Sequence, residues 1–301
     1  MPLSASKPIR IAVTGGRGRL ASLLADHFRA PDHEVTLYSR EAQDGFRDHG
    51  DLEGALAEHD FLLHLAWSTL PATSERNPGA EEATDLPALE KLLLALAGRP
   101  AGSRPHFVFF SSGGAVYGNA PGRPSLETDE CRPLGNYGRA KLAAEQLIAR
   151  LAAAHALGCT VLRISNPYGY PVPKSRLQGV IPHALRCAVE AQPLTLWGDG
   201  HARKDFLHYT DFLSGIGEVI RRRPAGTFNL CAGESHTVRE VIALAEKHTG
   251  RTIPLTPAPA PAWDVDDSRL SHERFAAATG WRPQVSLDEG IRRAAAGYAA
   301  H

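Results

Sequence analysis

The sequence predicts an α/β protein built on a parallel sheet, with a smaller C-terminal region after it. Three observations carry that prediction. A strand-like run near the N-terminus ends in glycines and opens a helix. Short apolar runs then alternate with helical periodicity through the first half, and the alternation loosens after Ser165. Taken in order, Ile9–Thr14 is the first strand, and Leu20–Phe28 is a helix with Leu20, Leu23 and Leu24 on one face. Val35–Tyr38, Phe61–Leu65, His106–Phe110 and Thr160–Ile164 read as further strands. Leu52–Glu58, Leu86–Leu96 and Arg139–Ala156 read as the helices between them, Leu89, Leu92, Leu93 and Leu96 forming an apolar stripe. Strands alternating with helices need crossover connections, which make the sheet parallel. The architecture expected is a Rossmann doubly wound parallel sheet over residues 1–165, with 166–301 forming a smaller region, some of whose segments return to the core.

Beyond Ser165, Pro167, Pro171, Pro173 and Pro182 suggest loops and short helices. Four prolines between Pro254 and Pro261 suggest an extended surface loop, and Leu287–Ala300 a closing helix. The bulk properties exclude several function classes. Of 301 residues, 43% are hydrophobic and 22% charged, which is ordinary for a globular chain. Lysine plus arginine and aspartate plus glutamate each number 33, so no basic excess points to nucleic acid. No run of about 20 apolar residues suggests a membrane span, and Ile9–Val13 is too brief for a signal peptide. The four cysteines, Cys131, Cys159, Cys187 and Cys231, are widely spaced and read as reduced thiols of a cytoplasmic protein. His183 and Cys187 lie four apart without further ligands nearby, so no metal is expected.

The first chemical signal is Thr14-Gly15-Gly16-Arg17-Gly18-Arg19-Leu20-Ala21. A dinucleotide turn needs a tight bend, a close backbone approach to the pyrophosphate and a helix N-terminus aimed at it. Gly15 and Gly18 supply the first two, and Ala21 is a small residue where helix packs on strand. Specificity for the 2′ position falls at the end of the second strand, where the sequence reads Tyr38-Ser39-Arg40. Ser39 brings no carboxylate to a ribose hydroxyl. Arg40, joined by Arg17, offers a guanidinium to a 2′-phosphate. NADP is therefore favoured over NAD, unless Glu41 does the acidic work and Arg40 is a solvated loop residue.

The second signal is Asn136-Tyr137-Gly138-Arg139-Ala140-Lys141 at the start of the long helix. Residues four apart share a helix face, so Tyr137 and Lys141 point the same way. A neighbouring ammonium favours the phenolate over the phenol, whose free pKa is about 10. Tyr137 can then exchange a proton with a sugar hydroxyl as acid or base, and Lys141 can hold the nicotinamide ribose. Trp67, after the third strand, either lines this cleft or packs.

With these motifs the chain resembles the extended short-chain dehydrogenase/reductases, specifically the nucleotide-sugar epimerases, dehydratases and reductases. The likeness extends through His64-Leu65-Ala66, Ser111-Ser112-Gly113-Gly114-Ala115-Val116-Tyr117-Gly118, Asn166-Pro167-Tyr168-Gly169, Trp197-Gly198-Asp199-Gly200 and Thr279-Gly280-Trp281. It implies an NAD(P)-binding Rossmann domain at 1–165, Leu65 and Ala66 included among the cofactor contacts, and a mainly substrate-binding region at 166–301. It implies a nucleoside-diphosphate sugar as substrate, with Asn166 toward the diphosphate, Gln178 and Val180 near the base, Lys204 among the substrate contacts, and a homodimer. Many such epimerases carry a hydroxyl where this chain has Gly113, which leaves Ser112 as the candidate. Dehydratases show an Asp-Glu pair where Gly114-Ala115 stand, so dehydration is disfavoured. Asp85 falls near a position where an Asn is frequent.

Two reactions at C4 of the sugar stay open, a 4-epimerase and a 4-keto reductase. The stretch Ser111–Gly118 favours the first and Ser39-Arg40 the second. A catalytically silent dinucleotide-binding protein is the alternative from another class, against which Tyr137 and Lys141 speak.

Overall fold

A computed structural model of the chain describes residues 7–29, 31–40, 45–120, 122–171 and 177–299. Glu41 and Pro173 lie outside the described residues. In chain order the elements of the first half are β1 Ile9–Thr14, α1 Arg19–His27, β2 His33–Ser39, β3 Arg47–Asp48, α2 Leu52–Ala55, β4 Phe61–His64, α3 Pro71–Arg76, α4 Ala80–Ala83, α5 Asp85–Ala97, β5 His106–Ser112, α6 Gly113–Val116, α7 Asn136–His155 and β6 Cys159–Ile164. The second half adds β7 Asn166–Tyr168, α8 Val180–Glu190, β8 Leu194–Trp197, β9 Arg203–His208, α9 Tyr209–Arg222, β10 Gly226–Leu230, β11 Ser235–Thr237, α10 Val238–Thr249, β12 Leu255–Ala258, β13 Asp267–Ser268, α11 Glu273–Thr279 and α12 Leu287–Ala299.

A seven-stranded parallel sheet in the order β10-β6-β5-β4-β1-β2-β3 is the Rossmann architecture the alternation predicted. The register sets Thr14 beside Tyr38 on one side and His64 on the other, so the ends of β1, β2 and β4 come level. That is where a doubly wound sheet reverses direction and opens its crevice. The chain divides into two compact units. One comprises Met1–Ser111, Arg139–Leu162 and Gly217–Thr227, the other Ser112–Gly138, Arg163–Ile216 and Phe228–His301. In the first, the α5 stripe Leu89, Leu92, Leu93 and Leu96 packs with Leu62, Phe107, Phe109 and Ile148. Burial of each such side chain stabilises by about 1.5–3 kcal/mol. In the second, α8, α10 and α12 pack on a separate core that includes Ile181, Leu185, Val241, Ile242 and Ile291.

Four expectations need correction. The region after Ser165 is not mainly loops and short helices, because α8, α9 and α10 are full helices. Pro182 does not break α8, since it lies in the first turn, where no backbone N–H is required. The proline run is exposed, yet its middle forms β12, paired in parallel with β8. Pro257 is tolerated there because only one neighbour pairs with the strand. The long helix starts at Asn136 rather than Arg139, which puts Tyr137 inside its first turn.

Candidate active site

In the first unit the chain leaves β1 through a turn pressed against backbone. Gly15 has φ of +70°, and a Cβ there would lie 2.9 Å from the Ala66 nitrogen and 3.0 Å from the Leu65 carbonyl carbon. Only glycine adopts that conformation at that distance without strain. Gly16 donates to the Tyr38 carbonyl at 2.9 Å and Gly18 to the Gly15 carbonyl at 2.8 Å. Gly18 then caps the nine-residue α1 with no side-chain bond, leaving the first-turn amides to a ligand. Thr14 braces the turn. Its Oγ1 pairs with His64 Nδ1 at 2.9 Å and accepts from the Ala66 amide at 3.3 Å. Burial, reinforced by nearby Lys141, holds His64 down to about 3, so the imidazole stays neutral. Arg17 and Gly18 are exposed at the turn, Ser39 is buried, and Arg40 stands exposed just beyond β2. Gly15, Gly18, Leu65 and Ala66 are thus brought together, and the cradle they form fits a dinucleotide pyrophosphate.

The same unit holds Lys141. Its side chain is buried, and Nζ donates to the Phe110 carbonyl at 3.0 Å. The ammonium lies 3.7 Å from the Trp67 ring centroid and 4.7 Å from that of Phe109. Burial pushes it down to about 7, against the pull of Asp85, Glu145 and Glu81. Asp85 is fixed by the Ser68 amide at 3.0 Å and hydroxyl at 2.5 Å, and Glu145 by the Ser111 hydroxyl at 2.5 Å. Sequence reasoning left Trp67 between lining and packing, and gave Asp85 no partner. The spacing of α5, β4 and α7 in sequence carries no signal that these side chains meet.

In the second unit Ser112 is half-buried at the end of β5 and precedes α6. A Cβ at Gly113 would overlap the end of the Leu270 side chain and lie 3.1 Å from the Arg163 carbonyl oxygen, so a hydroxyl-bearing residue there would require Leu270 to shift. Gly138 explains the entry of α7, because a Cβ would lie 2.5 Å from the Ala115 carbonyl oxygen and 2.8 Å from Pro133. Tyr137, half-buried, sits one residue before that contact and one turn before Lys141. Behind α6, Arg163 donates to the Tyr117 hydroxyl at 2.8 Å, and that hydroxyl donates to Asn229 Oδ1 at 2.8 Å.

The substrate candidates fall in two places. Asn166, exposed, donates through Nδ2 to the Asp205 carbonyl at 2.8 Å, beside β9. Lys204, in the same strand, donates to Asp264 Oδ1 at 2.7 Å and to the Val265 carbonyl, so its charge already has a carboxylate. Gln178 lies in the wall of a pocket with Tyr168, Tyr170 and Tyr298, and Val180 begins α8 beside it. Asp205 itself is fully buried. It accepts from the Ala232 and Gly233 amides at 2.9 Å each. Burial pushes its carboxyl up to about 7, against hydrogen bonds from Ser165 and those amides. Among the described residues no three His, Cys, Asp or Glu side chains are placed to hold a metal, and no helix is long and apolar enough to cross a membrane.

Residues 11–231 match the family described as the NAD dependent epimerase/dehydratase family. The UDP-glucose 4-epimerase of Mycolicibacterium smegmatis is 28% identical over 308 residues, covering 95% of this chain and 97% of that protein. The dTDP-4-dehydro-6-deoxyglucose reductase of Escherichia coli is 27% identical over 248 residues, covering 80% of this chain and 76% of that protein. The crystal structure of Thermus thermophilus UDP-glucose 4-epimerase in complex with NAD matches with a TM-score of 0.85 at 27% identity, covering 97% of this chain and 99% of that one.

Proposed function

The chain belongs to the NAD dependent epimerase/dehydratase family, and on that premise we propose that it is a 4-epimerase of nucleoside-diphosphate sugars, UDP-sugars first among them. The observation that carries this reading is one helix, α7, with Tyr137 in its first turn and the buried Lys141 in its second. A bound nicotinamide dinucleotide supplies the acceptor and donor of the electron pair at C4. The chain's own residues do the rest. Gly15, Arg17, Gly18, Leu65 and Ala66 hold the pyrophosphate side, and Lys141 the nicotinamide ribose. Tyr137, as the phenolate favoured by the Lys141 ammonium, takes the proton from the sugar's C4 hydroxyl and returns it later from the phenol so formed. Ser112 offers a second hydroxyl to the same oxygen. Asn166 and Lys204 attract the diphosphate, Lys204 from its seat on Asp264, and Gln178 and Val180 meet the base. On this reading residues 1–165 bind the dinucleotide and 166–301 mainly the sugar nucleotide, in a cytoplasmic homodimer. Gly114 and Ala115 offer no acid–base pair for loss of water, which keeps dehydration disfavoured.

A 4-keto reductase is the second reading, favoured by the exposed Arg40 beside a buried Ser39 and in keeping with the Escherichia coli relative. It goes with NADP, whereas the epimerase cycle goes with a retained NAD. Direct titration separates them. NAD held through purification and interconversion of UDP-glucose and UDP-galactose support the epimerase. An NADPH preference, weakened by Arg40→Ala, supports the reductase and the 2′-phosphate role of Arg40. The catalytic assignment itself is tested by Tyr137→Phe. Turnover is expected to fall by about 100-fold or more while dinucleotide affinity stays within about twofold. Unchanged turnover would remove Tyr137 from the chemistry.

A further inference from the structure

An ammonium that loses its water must find other groups that favour its charge, or it gives up its proton. Lys141 has lost its water, and the groups around it are unusually well defined. Trp67 presents its ring face at 3.7 Å, and Trp67 is itself steadied edge-on by Phe109, with centroids 5.9 Å apart. Phe109 in turn stacks on the neutral His64 at 6.2 Å. A ring face at such a distance attracts a cation through its quadrupole, most strongly when the cation is desolvated, and indole does so best. Asp85 is locked by two bonds from Ser68, the residue next to Trp67, so the ring and the carboxylate are held by one short segment after β4.

We propose that Trp67 and Asp85 are positioning residues for Lys141, the indole seating the ammonium over its ring and Asp85 supplying the counter-charge that keeps it charged while buried. The other groups facing Lys141 are Glu81 on α4, Glu145 on α7 and His64 on β4, with Tyr137 one turn earlier on its own helix. The consequence for the dinucleotide rests on the reading of Lys141 as the ribose-holding group. The ammonium reaches the ribose already oriented and charged, rather than drawn from solvent.

The test uses the ligand-free protein, which keeps it independent of turnover. Six lysines are present, and selective 13Cε-lysine labelling gives each a resonance that titrates. Lys141 is assigned by the signal lost in Lys141→Arg. It is expected to titrate well below the others. Trp67→Leu retains an apolar cover but removes the ring, and Asp85→Asn retains the shape but removes the charge. Each is expected to lower the Lys141 midpoint by about one pH unit, and Trp67→Phe to restore most of it. A substitution that only loosened packing would admit water and move the midpoint the other way, toward 10.5. A midpoint that stays or rises in Trp67→Leu overturns the role of Trp67, and the same result in Asp85→Asn overturns that of Asp85. If the midpoints fall as expected while the unsubstituted chain neither retains NAD nor interconverts UDP-glucose and UDP-galactose, the epimerase reading fails alone.

Discussion

Lys141 in one unit and Asp205 in the other are both buried charges, and burial brings each to about 7 from opposite sides. Their surroundings differ in kind. Asp205 is gripped by fixed backbone, the Ala232 and Gly233 amides, at hydrogen-bond length on both carboxylate oxygens. Lys141 has one backbone bond, to the Phe110 carbonyl, and is otherwise surrounded by side chains, with ring faces at 3.7 and 4.7 Å and carboxylates that hold bonds of their own to Ser68 and Ser111. A charge gripped by backbone fixes a loop and cannot be exchanged cheaply. A charge cushioned by rings can turn toward a ligand. The first arrangement is architectural, and the second suits a group that must act.

The largest effect should come from removing each charge outright. Asp205→Ala leaves two buried amides without an acceptor, at about 1–3 kcal/mol each, and should cost several kcal/mol in urea unfolding. Lys141→Met leaves the buried Glu81 and Glu145 without their cation and the Phe110 carbonyl without its donor, so it too should cost about 3–5 kcal/mol, but it should also collapse dinucleotide affinity, which Asp205→Ala should leave within about twofold. Equal losses of dinucleotide affinity in the two variants would dissolve the contrast.

A smaller and more gradual effect is the dependence of stability on pH. The folded carboxyl of Asp205 titrates above its ordinary 3.8. Between about pH 4 and 7 the folded state therefore binds more protons than the unfolded one, and stability falls as pH rises. Lys141 is lowered from 10.5. Between about pH 7 and 10.5 the unfolded state binds more protons, and stability rises with pH. The two groups together produce a minimum near neutrality. A series of urea midpoints against pH should lose its falling limb in Asp205→Asn and its rising limb in Lys141→Met. Limbs that survive the matching substitution would assign them to other groups.

Much of the fold was legible because its signals are local. The run from Thr14 to Ala21 announces a strand, a turn and a helix within eight residues, and the leucines of α5 repeat at helical spacing. What escaped is set by distant partners. β12 exists because β8 pairs with it, residue by residue from Leu194 opposite Leu255 to Trp197 opposite Ala258, and a proline-rich stretch alone gives no hint of that. The early start of α7 depends on Gly138 meeting the Ala115 carbonyl. At the site, Tyr137 and Lys141 declare themselves by a spacing of four along one helix, whereas Trp67 and Asp85 reach Lys141 only through the packing of separate elements.

Leu270 has a consequence for any attempt to engineer the chain. It fills the space above Gly113, so a serine at 113 cannot be gained in one step without disturbing a fully buried leucine. Either the end of the Leu270 side chain turns aside, or a smaller residue at 270 makes the room and on its own opens a cavity costing about 2–5 kcal/mol. A hydroxyl at 113 is therefore gained only with a rearrangement of the packing around Leu270.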